Sequence, residues 1–467
     1  MLMLATELSP GAELDGYRIE ARLHSGGMAV IYRVSRDDLP APAVMKVPRL
    51  GHGETGATVV SFEVEQMVLE VLDGGPVPRL FAVGDIERNP YLVMELVEGR
   101  TLADLLSQGP LPELDVCRIV AAVAQAVQQL HEREVIHLDL KPSNIILRAD
   151  GSAVLIDLGL ARHAHLPDLL AEEFRRPMGS APYIAPEQVL GVRSEARSDV
   201  FALGVMLYEC ATGHYPFGSP TTPGGMRKRL RSSPVPPRAL VPTLSEAFQE
   251  TIYRCLEVKV EQRLPSAKQL AFELQHPDQV AISEKGRWSR RQGGLQRLRK
   301  WLFGLGYEPP LTVAPTTRAA DAPIIMVAVA TAYTSDTHQQ AIRNAVQRFA
   351  LAMPAARVAC VTVTKPAPVM GTSDEAGSAP RVHLQQLVQL RHWAEPIGLP
   401  PARVTFHVLE AGDPAEGLLE YARSNRVDHI VIGASPPNMV GRNILPPVAD
   451  RVVTDAPCSV TIVRPRA

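Results

Sequence analysis

The sequence predicts two ordered units of different class. The first is an α+β unit, a small β-rich lobe ahead of a larger helical one; the second is an α/β unit on a doubly wound, five-stranded parallel sheet. Three observations predict this. Short strand-like runs crowd the stretch from Tyr17 to about Val97, apolar-periodic helices follow, and from residue 322 apolar strands alternate with helices. The 467 residues allow two to four domains at about 150 residues each. Hydrophobic residues at 46% and charged residues at 21% exclude a wholly disordered chain.

Charge and cysteine usage narrow the classes further. The net charge is −2, yet Lys and Arg against Asp and Glu leave −9 over residues 1–279, +5 over 280–321 and +2 over 322–467. A chain-wide nucleic-acid binder is thereby excluded. The five cysteines, Cys117, Cys210, Cys255, Cys360 and Cys458, form no CxxC pair and no disulfide framework, which predicts a reducing cytoplasm. MLMLATELSPG lacks a basic n-region and a long apolar core, so no signal peptide is expected. No apolar run reaches about 18 residues, the length of a membrane span.

In chain order, residues 1–14 read as a tail. YRIEARL, AVIYRVS, PAVMKVP, RLFAVGDI and PYLVMELV read as strands separated by turn residues. Val64, Val68, Leu69 and Leu72 give residues 62–72 a helical period. Past Gly99 the helices over 117–132 and 199–213 are the clearest, so 15–277 forms one domain. Residues 278–321 lack core periodicity, carry Lys285, Arg287, Arg290 and Arg291, and end in YEPPLTVAPTTRAADAP, a linker. Within it Leu295, Leu298, Trp301 and Leu302 share one helical face, with Arg297, Arg299 and Lys300 beside it. Two readings stand: a helix that docks on an anionic membrane or a partner, or a solvated basic linker lying on the acidic first domain. From 322 to 467, five strands (IIMVAVATA, RVACVTVT, VTFHVL, DHIVIGA, CSVTIVRP) alternate with helices near 336–351, 381–395, 413–425 and 444–454. That alternation predicts a parallel sheet covered on both faces.

Four features in the first domain carry chemistry. LHSGGMAVIY at 23–32 sets Gly26 and Gly27 in the turn between two strands. They are either a plain hairpin turn or a loop whose N–H groups close over phosphates. Lys46 lies in the apolar strand AVMKV, although only 8 of the chain's 48 cations are lysine. It is either an edge residue facing solvent or a phosphate-binding ammonium held by a carboxylate of the next helix. HLDLKPSN spaces Asp139, Lys141 and Asn144 by two and three residues, and thirteen residues further the strand AVLID ends in Asp157-Leu158-Gly159. One carboxylate can take a hydroxyl proton, Lys141 can neutralise a moving phosphoryl group, and Asn144 with Asp157 offers hard oxygen ligands.

With these motifs, residues 15–277 resemble the eukaryotic-like protein kinase domain of bacterial Ser/Thr kinases. Ala185-Pro186-Glu187 resembles the triplet closing the activation segment, Asp199 the residue bracing the catalytic loop, and Arg263 the partner of Glu187. The resemblance implies ATP and Mg²⁺ (or Mn²⁺) as cofactors and proteins as substrates. It implies that Leu23, Ile31, Val44 and Leu147 enclose the adenine, with Met94 at the back of the pocket. The backbone of Glu95 and Leu96–Val97 would supply hinge hydrogen bonds. Lys46 would hold the α- and β-phosphates, paired with Glu65, or failing that Glu63 or Glu70. Asp139 and Lys141 would be catalytic, and Asn144 and Asp157 would bind the metal. KPSN and Ser180 resemble Ser/Thr rather than Tyr kinases.

Three departures stand out. His24 and Ala29 replace the first and third glycines of the phosphate loop. Leu138 replaces the Arg that a phosphorylated activation loop engages. Between Asp157 and Gly179 there is no Ser, Thr or Tyr. The second and third departures agree, and predict activity independent of activation-loop phosphorylation. A second class of function, an ATP-binding pseudokinase scaffold in stress signalling, is motivated by His24 and Leu138; the complete Lys46, Asp139, Asn144 and Asp157 set weighs against it.

Residues 322–466 resemble the universal stress protein family through GDPAEGLLEYARSNRVDHIVIGAS and ADRVVTDAPCSVTIVRP. Many members bind ATP through a loop reading G-x-x-G, nine residues, then G-S or G-T. Here Gly433 is followed by Pro436, Pro446 and Pro447, and Ala330 replaces an Asp. Proline has no N–H for a phosphate, so the expectation is a sensing, docking or self-association module over a nucleotide sensor.

Overall fold

The strand-like runs near the N-terminus pair into a six-stranded antiparallel sheet of order β1-β2-β3-β4-β6-β5. Its strands are β1 (Glu13–Leu14), β2 (Tyr17–Ser25), β3 (Ala29–Ser35), β4 (Ala43–Pro48), β5 (Leu80–Val83) and β6 (Leu92–Glu95). Period-2 alternation decides its two faces. Tyr17, Ile19, Val30, Tyr32, Met45 and Val93 form one apolar layer. Val44 and Met94, on the other face, join the main core beneath α1 (Gly56–Leu72). The computed structural model describes residues 8–49, 56–174, 176–289, 322–330, 336–365, 379–434 and 447–464.

α1 begins at Gly56, six residues before the expected start, and Gly56 through Glu65 are all buried. Thr55 directly precedes that start and is a residue type suited to an N-cap, but a first half buried on all sides has no single apolar stripe to reveal it.

The larger lobe is helical: α2 (Leu102–Leu106), α3 (Glu113–Glu132), α4 (Leu169–Glu173), α5 (Pro186–Val189), α6 (Arg197–Thr212), α7 (Pro223–Met226), α8 (Pro237–Leu240), α9 (Glu246–Cys255) and α10 (Ala267–Gln275). α3 buries Val116, Val120, Val123, Val127 and Leu130 against α6 and α10. α6 ends at Gly213, whose φ of 70° is the left-handed cap that glycine adopts without strain. β7 (Arg100–Thr101) runs ahead of α2, and between α3 and α4 run β8 (Val135–Ile136), β9 (Ile145–Leu147), β10 (Ala153–Leu155) and β11 (Arg162–His163). β10-β9-β7 and β11-β8 make two small sheets.

The first part of the expected linker is packed on this lobe. Gln249 donates to the carbonyls of Lys285, Gly286 and Trp288, the Trp288 ring meets Tyr253 edge-on, and Lys285 pairs with Glu257. The amphipathic run with Leu295, Leu298, Trp301, Leu302 and its basic neighbours Arg290, Arg291, Arg297, Arg299 and Lys300 lies outside the described residues.

The C-terminal unit contains β12 (Ile324–Ala328), α11 (Asp336–Ala352), β13 (Arg357–Thr364), α12 (Ala379–Ala394), β14 (Val404–Glu410), α13 (Pro414–Ser424), β15 (His429–Gly433), α14 (Pro447–Asp455) and β16 (Ser459–Val463). Its five strands are all parallel, in the order β14-β13-β12-β15-β16. Ile325, Val327, Val358, Cys360 and Val431 face one apolar cluster, and Met326, Ala359, Val361, Ile430 and Ile432 face the other. Both faces are covered, as the near-continuous apolar strands require. Asp413 caps α13 by accepting the Ala415 N–H, with Pro414 in the first turn, the standard chemistry of a helix start. This unit lies against the first through α1 and α4: Val59 of α1 belongs to its core cluster.

Candidate active site

The cleft between the lobes gathers the chemical residues. Lys46 of β4 reaches down from the sheet, and its Nζ lies 2.5 Å from Glu65 Oε2 of α1 and 3.0 Å from Asp157 Oδ1. The other carboxylates near in sequence are engaged elsewhere: Glu63 pairs with Arg391 and Glu70 accepts from Gln66. The Lys46 ammonium holds Asp157 down to about 2, against the effect of burial. Burial works against the charge of Lys46, but Asp157 and Glu65 outweigh it and push its pKa up. Burial pushes Glu65 up, opposed by Lys46 and by the Leu158 N–H. Asp157 thus stays a carboxylate through the physiological range.

The HLDLKPSN turn sits where α3 has ended and β8 enters. Asp139 Oδ2 takes Lys141 Nζ at 2.8 Å, and Oδ1 takes the Ser180 N–H at 2.7 Å. Asn144 Nδ2 donates to the Asp139 carbonyl at 3.0 Å, which ties the second half of the turn to the first. Leu138 has φ 62° and Asp157 φ 64°, left-handed conformations that non-glycine residues adopt at a cost. The surroundings over-determine the Leu138 turn. The fully buried Asp199 accepts the His137 and Leu138 N–H groups, each at 2.9 Å, and meets His131 Nε2 at 2.8 Å. Gln188 Nε2 holds the Leu138 carbonyl at 2.9 Å. At the Asp157 turn, Gly159 lets α1 approach closely: a Cβ there would lie 3.2 Å from the Ser61 carbonyl, a tight contact that would push α1 away by a few tenths of an ångström.

The activation segment is anchored at its far end by a buried bidentate pair. Arg263 Nη1 and Nη2 meet Glu187 at 2.7 and 2.9 Å, and Ser198 donates to the same carboxylate at 2.7 Å. Arg229, 1% exposed, donates to the carbonyls of Ala181, Pro182 and Ile184.

Above the catalytic turn, Val44 and Met94 face each other across the β4–β6 ladder, and Ile31 and Leu147 pack on the same apolar cluster. Leu23 is 49% exposed at the roof, and Val97 is buried. The Glu95 N–H goes to Arg79 O at 2.9 Å and the Leu96 N–H to Pro42 O at 2.8 Å. The Leu96 N–H is therefore already engaged, and of the expected hinge groups the Glu95 carbonyl and the Val97 N–H remain candidates. Gly26 donates to Ala29 O at 3.0 Å in a tight turn, and the His24 ring leans over Gly26. Gly27 has open space where a side chain would be.

Sequence reasoning missed Gln188, His131 and Arg229. Each is set by packing across tens of residues, and none stands in a pattern that marks it. In the C-terminal unit, a Cβ on Gly433 would run into the His338 ring of α11, so that strand end is already packed. Pro436 and Pro446 lie outside the described residues, and Pro447 opens α14.

A lysine–glutamate pair over the Asp139-Lys141-Asn144 turn, with Asp157 beside it, thus meets between a sheet lobe and a helical lobe. Residues 17–277 match the family model described as protein kinase domain, more than half of the chain, and the chain belongs to that family. Residues 323–464 match the universal stress protein family. The serine/threonine-protein kinase PknL of Mycobacterium tuberculosis is 30% identical over 50% of this chain and 59% of its own. Pkn1 of Myxococcus xanthus, also a serine/threonine-protein kinase, is 30% identical over 62% of this chain and 42% of its own. A probable serine/threonine-protein kinase of Clostridium acetobutylicum is 28% identical over 62% of this chain and 43% of its own. The chain thus spans 42–59% of the length of these relatives. Among the described residues, no helix is long and apolar enough to cross a membrane.

Proposed function

We propose that the chain is a protein kinase that transfers the γ-phosphoryl group of ATP to Ser or Thr hydroxyls of proteins. The observation that carries this reading is the joined set of Lys46–Glu65, Lys46–Asp157 and Lys141–Asp139 ion pairs in one cleft. Asp139 orients the acceptor hydroxyl and takes its proton, and Lys141 beside it offsets charge on the transferring group. Lys46, fixed by Glu65, holds the α- and β-phosphates. Ile31, Val44, Met94 and Leu147 supply the apolar walls for a purine, with Leu23 above. The Gly26–Gly27 turn leaves backbone room for phosphates, and His24 beside it narrows that room.

The donor set fits a hard divalent cation: the Asp157 carboxylate is held charged, and the Asn144 amide, tied through Nδ2 to the Asp139 carbonyl, has an oxygen that accepts only a long 3.4 Å bond from the Ser143 hydroxyl and has a second lone pair for a ligand. Asn144 and Asp157 would hold Mg²⁺ or Mn²⁺, which when bound neutralises phosphate charge. The chain's own contribution is positioning and preorganised charge. We assign the activity to the cytoplasm, where ATP is abundant and the five free cysteines stay thiols.

Radiolabelled ATP with the wild type and Asp139→Asn tests the reading. Transfer to protein Ser or Thr is expected from the wild type, with a loss of at least about 10²-fold in the variant. Transfer that survives the substitution, or appears with neither protein, refutes it.

A further inference from the structure

Neither half of an activation-loop phosphate switch is present: the segment between Asp157 and Gly179 has no hydroxyl acceptor, and Leu138 stands where the receptor Arg would be. The segment is held all the same. Its helix α4 ends in Glu172 and Glu173, whose side chains are 11% and 3% exposed. What receives them comes from the C-terminal unit. Arg357 of β13 makes two parallel bonds to Glu172, Nη2 to Oε1 at 2.8 Å and Nη1 to Oε2 at 3.2 Å. Tyr421 of α13 donates its hydroxyl to Oε2 at 3.0 Å. His407 of β14, fully buried, lies 3.1 Å from Glu172 through Nε2 and 3.1 Å from Glu173 through Nδ1. Thr405 Oγ1 braces both cations, 2.7 Å from Arg357 and 3.0 Å from His407. A planar bidentate Arg with a His and a hydroxyl is the donor set that receives a phosphate. Here it receives a carboxylate that is written into the sequence.

The same unit grips α1. Val59 enters its core cluster, Arg391 of α12 pairs with Glu63, the His383 ring abuts Gly56, and His392 meets Glu87 of the sheet lobe at 2.8 Å. Glu63 lies two residues before Glu65, and α4 packs on α1. In this docked arrangement Lys46 meets Glu65 and Ser180 caps Asp139, so docking and an assembled cleft coincide.

We propose that the C-terminal domain is the activation-segment receptor of this kinase in cis. Arg357, His407 and Tyr421 take Glu172 as an Arg cluster takes a phosphorylated loop, and hold α4 and α1 where Lys46 and Glu65 meet. The domain is an activating brace, and its release disassembles the cleft. The proposal rests on the kinase reading above, and its test separates the two.

The experiment compares the full chain with Arg357→Ala/His407→Ala by hydrogen exchange and by initial rates on dephosphorylated casein. Exchange over residues 56–65 and 169–173 is expected to quicken at least tenfold while α6 keeps its protection, and kcat/KM is expected to fall at least tenfold. Unchanged exchange in α1 and α4 overturns the docking. Quickened exchange with equal or higher activity overturns the activating role and makes the domain a restraint. Should the wild type show no Asp139-dependent transfer, the kinase reading fails instead, and calorimetry with Mg·ATP reads the cleft: affinity must weaken at least tenfold in the variant for the brace to stand. A milder pair guards against misfolding. Arg391→Glu alone should quicken α1 exchange and lower activity, and Arg391→Glu with Glu63→Arg should restore both; failure of the double change to restore them counts against the brace.

Discussion

Leu138 and Asp157 show how single residues are forced into place at the catalytic turn. Their φ angles of 62° and 64° cost about 1–3 kcal/mol each; Asp tolerates that region better than most residues, whereas Leu has no such preference. What fixes Leu138 is Asp199, a buried acceptor for two consecutive N–H groups. Burial opposes its charge, but the His131 and His137 contacts hold its carboxyl below the usual range. Asp199→Asn turns one acceptor oxygen into a donor facing an N–H. Hydrogen bonds to a charged group are worth about 1.5–3 kcal/mol, so kcat should fall roughly ten- to a hundredfold. The KM for ATP should change little, because Lys46 and Glu65 do not depend on that turn. Steady-state kinetics at varied ATP checks the split. The motif residues Asp139, Lys141, Asn144 and Asp157 were legible in the sequence because their spacing is local. Gln188, which holds Leu138 from fifty residues away, was not.

At the scale of elements, the strands and long helices followed from periodicity, and the misreadings fall where an element is short or buried on all sides. α1 was read from Phe62 because its second half shows one apolar face; its first half is covered both by α4 and by the C-terminal domain. α4, a single turn, has no period to read. It forms because Asp168 caps it by accepting the Ala171 N–H at 3.2 Å, because Asp168 also holds Arg193 at 3.0 Å, and because Leu169 and Leu170 are buried. Asp168→Ala removes a cap worth about 0.5–2 kcal/mol. Exchange protection of residues 169–173 should fall by that amount while α3 keeps its own, a difference that hydrogen exchange read by mass spectrometry resolves. Equal loss in both would mean the cap supports the whole lobe.

For the whole molecule the question is what joins the two domains, and the answer is titratable. His407 faces Glu172 and Glu173 of α4, with Glu63 of α1, Arg357 of β13 and Tyr421 of α13 around the cluster. Burial works against its charge, but Glu172 and Glu173 raise it to about 9. Burial pushes Glu173 up to about 7, against the pull of His407. Burial also acts on Glu172, but His407 and Arg357 hold it at about 2. A histidine raised above its unfolded value stabilises the docked state in full below about pH 6.5, and that stability is lost as pH rises through about 9. The raised Glu173 acts in the same sense, its contribution lost between about 4.5 and about 7. Glu172 contributes above its unfolded value, and loses that only toward about pH 2. Docking should therefore weaken on the alkaline side and persist in mild acid. Small-angle scattering should give a larger radius of gyration near about pH 9.5 than near about pH 6, and equal radii would contradict this.

The sequence by itself determined the classes of the two units; it also marked Asp139, Lys141, Asn144 and Asp157 as candidates and left the stretch between Asp157 and Gly179 without a hydroxyl, because all of these rest on local spacing and on which residue types occur. It also showed an acidic first domain and a basic linker, and part of that contact is present at Lys285 and Glu257. Only the tertiary structure decided that Glu65, and not Glu63 or Glu70, meets Lys46, and that Glu63 turns outward to Arg391. It alone brought Arg357 and His407 to Glu172, across 185 and 235 positions of chain. Pairing at that separation is set by how whole surfaces pack, and no local pattern in a single chain encodes it.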